Sequence, residues 1–181
     1  MNGRNDTVIS GAHKDIEATR KALESNGLKC IQLDLPFAFH TAQMDPILES
    51  FEQTAKHVTF KAPSVPLISP LLSNCVFDGK TINAKYFCRA TREPVNFVGA
   101  LEAAQDLGII DDKTVWIDIG PHPVCGAFVR SHIPSATVVS SLRRNEDNFA
   151  VIANSLATLH CEGVSVCWNE YFKPYERRTI C

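Results

Sequence analysis

The chain has 181 residues, 45% of them hydrophobic and 21% charged, which suits a globular protein with an apolar core. Its formal net charge is −2 with Lys and Arg scattered, so neither a basic stripe for nucleic acid nor an acidic tail is present. No apolar run approaches the roughly 20 residues that span a bilayer, residues 1–6 carry no apolar signal segment, and the expected compartment is the cytosol.

In chain order, Thr7-Val8-Ile9-Ser10 reads as a short strand ending at Gly11. From His13 to Asn26 the spacing predicts a helix with Ala12, Ile16 and Leu23 on one face and Asn26-Gly27 as its stop. Ile31, Leu33 and Leu35 then alternate with Gln32 and Asp34 as a half-buried strand would. A strand, a helix and a strand within about 30 residues have the size of a split βαβ unit. A second helix is predicted over residues 42–57, with Met44, Leu48, Phe51, Ala55 and Val58 at helical spacing. Pro63, Pro66 and Pro70 limit residues 65–69 to a short edge strand, and Asp78-Gly79 marks a turn.

Two further helices are expected, one over residues 83–91 and one with Val98, Leu101 and Ala104 inward and Leu107-Gly108 at its end. Val115, Ile117 and Ile119 alternate with Trp116 and Asp118, the clearest strand pattern in the chain. It runs into Gly120-Pro121-His122-Pro123, which opens a short helix expected to bury Val124 and Phe128. Residues 136–140 form the last expected strand. Phe149, Ile152, Ala153, Leu156 and Leu159 then line one face of a long helix, and residues 163–181 read as a connector pinned by Trp168 and Tyr171. Short strands alternating with helices predict the α/β class, with few strands for a complete parallel sheet.

The cysteines, Cys30, Cys75, Cys88, Cys125, Cys161, Cys167 and Cys181, form no Cys-x-x-Cys pair. They read as reduced thiols, several of them buried. His122 and Cys125 offer only two close metal ligands, and no phosphate-loop motif occurs, so no metal or cofactor is expected. His40 follows Leu35-Pro36-Phe37-Ala38-Phe39 on a short loop, where a general base is often placed, although a loop histidine is more often structural. His13, His57, His132 and His160 read as solvated or capping residues. No Gly-x-Ser-x-Gly elbow is present, and Cys125, the other conceivable nucleophile for a thiol hydrolase with His40, falls on an apolar helix face. The residues alone supply a base without a nucleophile.

Several motifs in order carry a resemblance. Asn5-Asp6-Thr7-Val8-Ile9-Ser10-Gly11, Phe37-Ala38-Phe39-His40-Thr41-Ala42-Gln43-Met44, the stretch ending Arg92-Glu93-Pro94-Val95, and Asp118-Ile119-Gly120-Pro121-His122-Pro123 resemble malonyl-CoA:acyl-carrier-protein acyltransferase domains of fungal non-reducing polyketide synthases. Ala-Phe-His followed by Gln-Met looks like the malonyl-loading kind rather than the starter-unit kind. The resemblance implies the C-terminal part of an α/β-hydrolase-type acyltransferase domain with part of a ferredoxin-like subdomain. It divides the chain into 1–36 (partial ferredoxin-like), 37–145 (acyltransferase core) and 146–181 (C-terminal helix and linker).

The same resemblance implies ping-pong malonyl transfer from malonyl-CoA to the phosphopantetheine thiol of an acyl carrier protein, with other synthase domains as partners. His40 would be the general base and acid, oriented by a main-chain carbonyl assigned to Ala90. Arg89 and Arg92 do not match the family's malonate-binding arginine and read as helix-end or surface charges. The family's serine elbow, oxyanion glutamine and that arginine lie ahead of the ferredoxin-like strand and are not among these residues. The expectation is therefore a fragment inactive on its own, the alternative being a non-catalytic binding module.

Overall fold

A computed structural model describes residues 1–3, 5–33 and 35–174. The chain divides into two compact units, Met1–Ile110 and Asp111–Cys181. Neither expected boundary, 36/37 or 145/146, coincides with this division. The first residues are tied into unit 1 by backbone bonds, Met1 N to Val95 O at 2.8 Å and Phe97 N to Met1 O at 2.9 Å.

Unit 1 begins with helix α1, His13–Ser25, which stops where Gly27 takes a φ of 80°, a left-handed turn that glycine adopts without a Cβ clash. Its outer face is laced by Arg20, which bonds Glu17 and Glu24 one turn away on either side. A 3₁₀ turn, Ala42–Met44, leads into α2, Asp45–Ala55, whose Pro46 sits in the first helical turn where its missing N–H is not needed. Strands β1, Leu67–Ser69, and β2, Asn74–Val76, form an antiparallel pair with Ile68 opposite Cys75. Helices α3, Ala84–Arg92, and α4, Phe97–Asp106, are each opened by an asparagine: Asn83 accepts from Tyr86 N and Asn96 from Gly99 N. α2 packs on α3, and α4 on the hairpin. The core includes Met44, Ala55, Val76, Cys88, Leu101 and Ala104, with the Ser69 hydroxyl buried against Tyr86 Oη at 2.8 Å.

Unit 2 pairs β3, Trp116–Asp118, with β4, Val138–Ser140, in parallel, Ile117 opposite Val139. Helix α5, Cys125–His132, crosses between them as the connection, and α6, Asn148–Cys161, packs on β4 and is capped by Asp147. A short helix α7, Trp168–Phe172, brings Trp168 edge-on against His160 of α6, while the Tyr171 ring meets Trp168 within the same helix. Residues 175–181, with Cys181, lie outside the described residues.

Several expectations are corrected. Neither residues 7–10 nor the described part of 31–35 forms a strand. Among the described residues no strand pairs with either stretch, and Ile31 is 73% exposed. The pair β1–β2 was expected only as one edge strand. Ile119, Val124 and Phe149 are exposed rather than packed, and Val151 is buried in Phe149's stead. His132 is buried, not solvated, and Cys88 is the only buried cysteine among the described residues.

Candidate active site

The loop before α2 folds back on itself through its own side chains. Ala38 is gripped from both ends: its N–H donates to Gln43 Oε1 at 3.2 Å, and its carbonyl accepts from Thr41 Oγ1 at 2.6 Å. Thr41 Oγ1 in turn accepts from Gln43 N and caps the 3₁₀ turn. Between these ties His40 is exposed and holds a φ of 60°, in the left-handed region that non-glycine residues enter at an energetic cost.

The end of α3 fixes the residue from the other side. His40 N donates to Thr91 O at 3.0 Å, and His40 Nδ1 lies 3.2 Å from Glu93 O. A carbonyl only accepts, so this bond requires the proton on Nδ1 and leaves the lone pair on Nε2. The carbonyl is that of Glu93 and not of Ala90. Ala90 is inside α3, where carbonyls point along the helix axis. Glu93 is extended, with ψ of 154°, so its carbonyl turns out of the helix. The sequence held a signal for this, because Glu93 precedes Pro94 and such a residue is pushed out of the helical region.

Both α3 arginines are engaged. Arg89 binds the Glu93 carboxylate through two bonds, at 2.7 and 2.9 Å, and that pairing holds the carboxyl below its usual range. Arg92 bonds Asp45 at the start of α2. These partners, with Thr41 and Gln43, went unnoticed in the sequence because their pairing depends on how the loop closes.

The second histidine loop is in unit 2. Asp118 Oδ2 accepts from Gly126 N at 2.8 Å, Ser141 Oγ takes Gly120 N at 3.0 Å and returns its proton to Gly120 O, and His122 Nδ1 accepts from Arg144 N at 3.3 Å. A Cβ on Gly126 would stand 2.7 Å from Val138 Cγ1, so this helix start admits only glycine without a shift. Cys125 is exposed, in contrast to the packed position expected, and its thiol is pushed up by desolvation and then by Asp118. A thiol raised in this way is a poor nucleophile. Among the described residues no group of three or more His, Cys, Asp or Glu could hold a metal ion, and no helix is long and apolar enough to cross a membrane.

The sequence matches the family described as acyl transferase domain over residues 1–166. The chain belongs to that family. It is 58% identical over 177 residues to the non-reducing polyketide synthase aptA of Emericella nidulans, covering 98% of this chain and 10% of that protein. It is 60% identical over 172 residues to the non-reducing polyketide synthase nscA of Aspergillus fumigatus, covering 95% of this chain and 10% of that one. The chain thus spans about a tenth of the length of the curated relatives it matches. The acyltransferase domain from the second module of the salinomycin polyketide synthase aligns over 100% of this chain and 42% of its own, with a TM-score of 0.83 at 26% identity. The α/β class and the acyltransferase-domain fold expected from the motifs stand.

Proposed function

We propose that this segment supplies the general acid–base histidine for malonyl transfer from malonyl-CoA to the phosphopantetheine thiol of an acyl carrier protein in a cytosolic fungal polyketide synthase. The observation that carries the reading is His40 itself. It is an exposed imidazole in a left-handed backbone conformation, its Nδ1 committed to Glu93 O and its Nε2 bearing the lone pair. Membership of the acyl transferase family supports the reaction class.

In this reading Nε2 takes the proton of a serine hydroxyl as its oxygen attacks the malonyl thioester carbonyl. The C–S bond breaks, and the proton passes to the departing CoA thiolate. The second half reverses the order: Nε2 deprotonates the carrier thiol, sulfur attacks the malonyl ester, and the serine oxygen leaves with the proton. Glu93 O keeps the imidazole oriented and stabilises its charged form. The 181 residues contain no Gly-x-Ser-x-Gly elbow, so the serine is proposed to come from another part of the synthase.

Malonyl transfer to the carrier protein is measured with the complete synthase, its His40→Ala variant and the isolated 181-residue chain. The reading expects turnover only from the first. A His40→Ala synthase that transfers at the parent rate would leave the chain a non-catalytic module. Transfer by the isolated chain would remove the need for an outside serine.

A further inference from the structure

Arg92 is the last residue of α3, and its Nε donates to Oδ1 of Asp45, the first residue of α2. The partners are 47 residues apart in sequence, so the bond ties the end of one helix to the helix that the His40 loop enters. On either side of Arg92 stand the two carbonyls that hold His40: Thr91 O takes its backbone N–H, and Glu93 O takes Nδ1. Any slide of α3 along α2 therefore moves both contacts together.

The surrounding charges favour this pairing over its alternatives. Asp45 and Glu93 are both acids within the field of Arg92. Arg89, however, already occupies the Glu93 carboxylate with two bonds. Arg92 is thereby left to reach across to Asp45. Its side chain is 37% exposed and that of Asp45 54% exposed, and ion pairs this wet contribute little to global stability.

From this arrangement we propose that Arg92 and Asp45 are positioning residues, a charged latch that sets the register of the α3 end against the His40 loop and so aims Nε2 at the reacting hydroxyl. Neither touches the reacting atoms. The proposal rests on the reading of His40 as the base, and it gives Arg92 a task beyond that of a helix-end charge.

The test uses the complete synthase carrying Asp45→Asn, Arg92→Gln, the exchanged pair Asp45→Arg with Arg92→Asp, or His40→Ala. Each single change of the pair is expected to lower kcat for malonyl transfer roughly tenfold, since small misplacements of a catalytic group are costly. KM for malonyl-CoA should stay within about twofold and the melting temperature within a degree or two. The exchanged pair should recover kcat to within about threefold of the parent, which a residue needed only for folding would not show.

Single variants that keep full kcat would overturn the latch. So would an exchange no better than the singles, or a loss that follows the melting temperature. An active His40→Ala synthase would remove the reading of His40 itself. An inactive one beside unaffected Asp45 and Arg92 variants would remove the latch alone.

Discussion

Two histidines stand on short loops of this molecule, one in each unit, and their Nδ1 atoms serve opposite ends of a hydrogen bond. His40 Nδ1 faces the carbonyl of Glu93 and must donate, which leaves Nε2 basic. His122 Nδ1 faces the backbone N–H of Arg144 and must accept, which puts the proton on Nε2. The backbone differs too, since His40 is held at a φ of 60° and His122 is not among the residues of positive φ. A histidine after a proline-containing stretch is thus available for proton abstraction in one loop and is part of the scaffold in the other. What decides between them is the identity of a single main-chain partner.

The largest test of that contrast is to remove each ring. His40→Ala should cut malonyl transfer by the complete synthase by roughly 10²- to 10⁴-fold, the usual range for a general base. His122→Ala should leave the rate within about twofold and lower stability by about 1 kcal/mol for its lost bond. Equal losses of rate would erase the distinction. Next comes Gly126→Ala beneath the His122 loop. Its Cβ would meet Val138 Cγ1 at 2.7 Å, and the expected cost is about 1–3 kcal/mol in urea unfolding. That substitution tests whether the second loop is a matter of packing.

A finer test compares two silent variants of the first loop. His40→Gly and His40→Ala should lose rate to the same extent, yet the glycine form should be more stable by about 1 kcal/mol, because only it relieves the left-handed backbone. Denaturant midpoints that coincide would mean the conformation carries no strain.

The smallest effect is one of pH. The Glu93 carboxyl is lowered in the folded chain by its bonds to Arg89. A depressed folded value contributes stability that is present above the ordinary value of 4.5 and fades as pH falls below it through the lowered one. Melting temperature followed from pH 6 downwards should lose this contribution in the parent and lack it in Arg89→Met.

The longer helices were legible in the sequence from apolar spacing and from stops such as Asn26-Gly27, whereas the short α7 reads there as a connector. Strands were less so. A strand is a relation to a neighbour, and the alternation of Ile31, Leu33 and Leu35 describes a face without saying whether anything pairs with it. The hairpin strand Asn74–Val76 has three residues and no alternation to read. At the site, the loop offers His40 only as a candidate and the resemblance assigns its role, whereas the carbonyl facing its Nδ1 belongs to Glu93, three residues after the expected Ala90. Resemblance aligns positions, but the direction of a carbonyl depends on where the helix lets go.

The conformation of His40 also bears on how this position can change over generations. A histidine codon is one nucleotide away from those of asparagine and aspartate, the two residues that, after glycine, most readily accept a left-handed backbone. On the proposed role of His40, most single-nucleotide changes here would be expected to disturb the loop as well as remove the base. Those two would remove the base and keep the loop. A lineage that had stopped needing the reaction could therefore abandon it here while conserving the architecture, and Asn or Asp at position 40 is the scar by which such a silenced copy would be recognised.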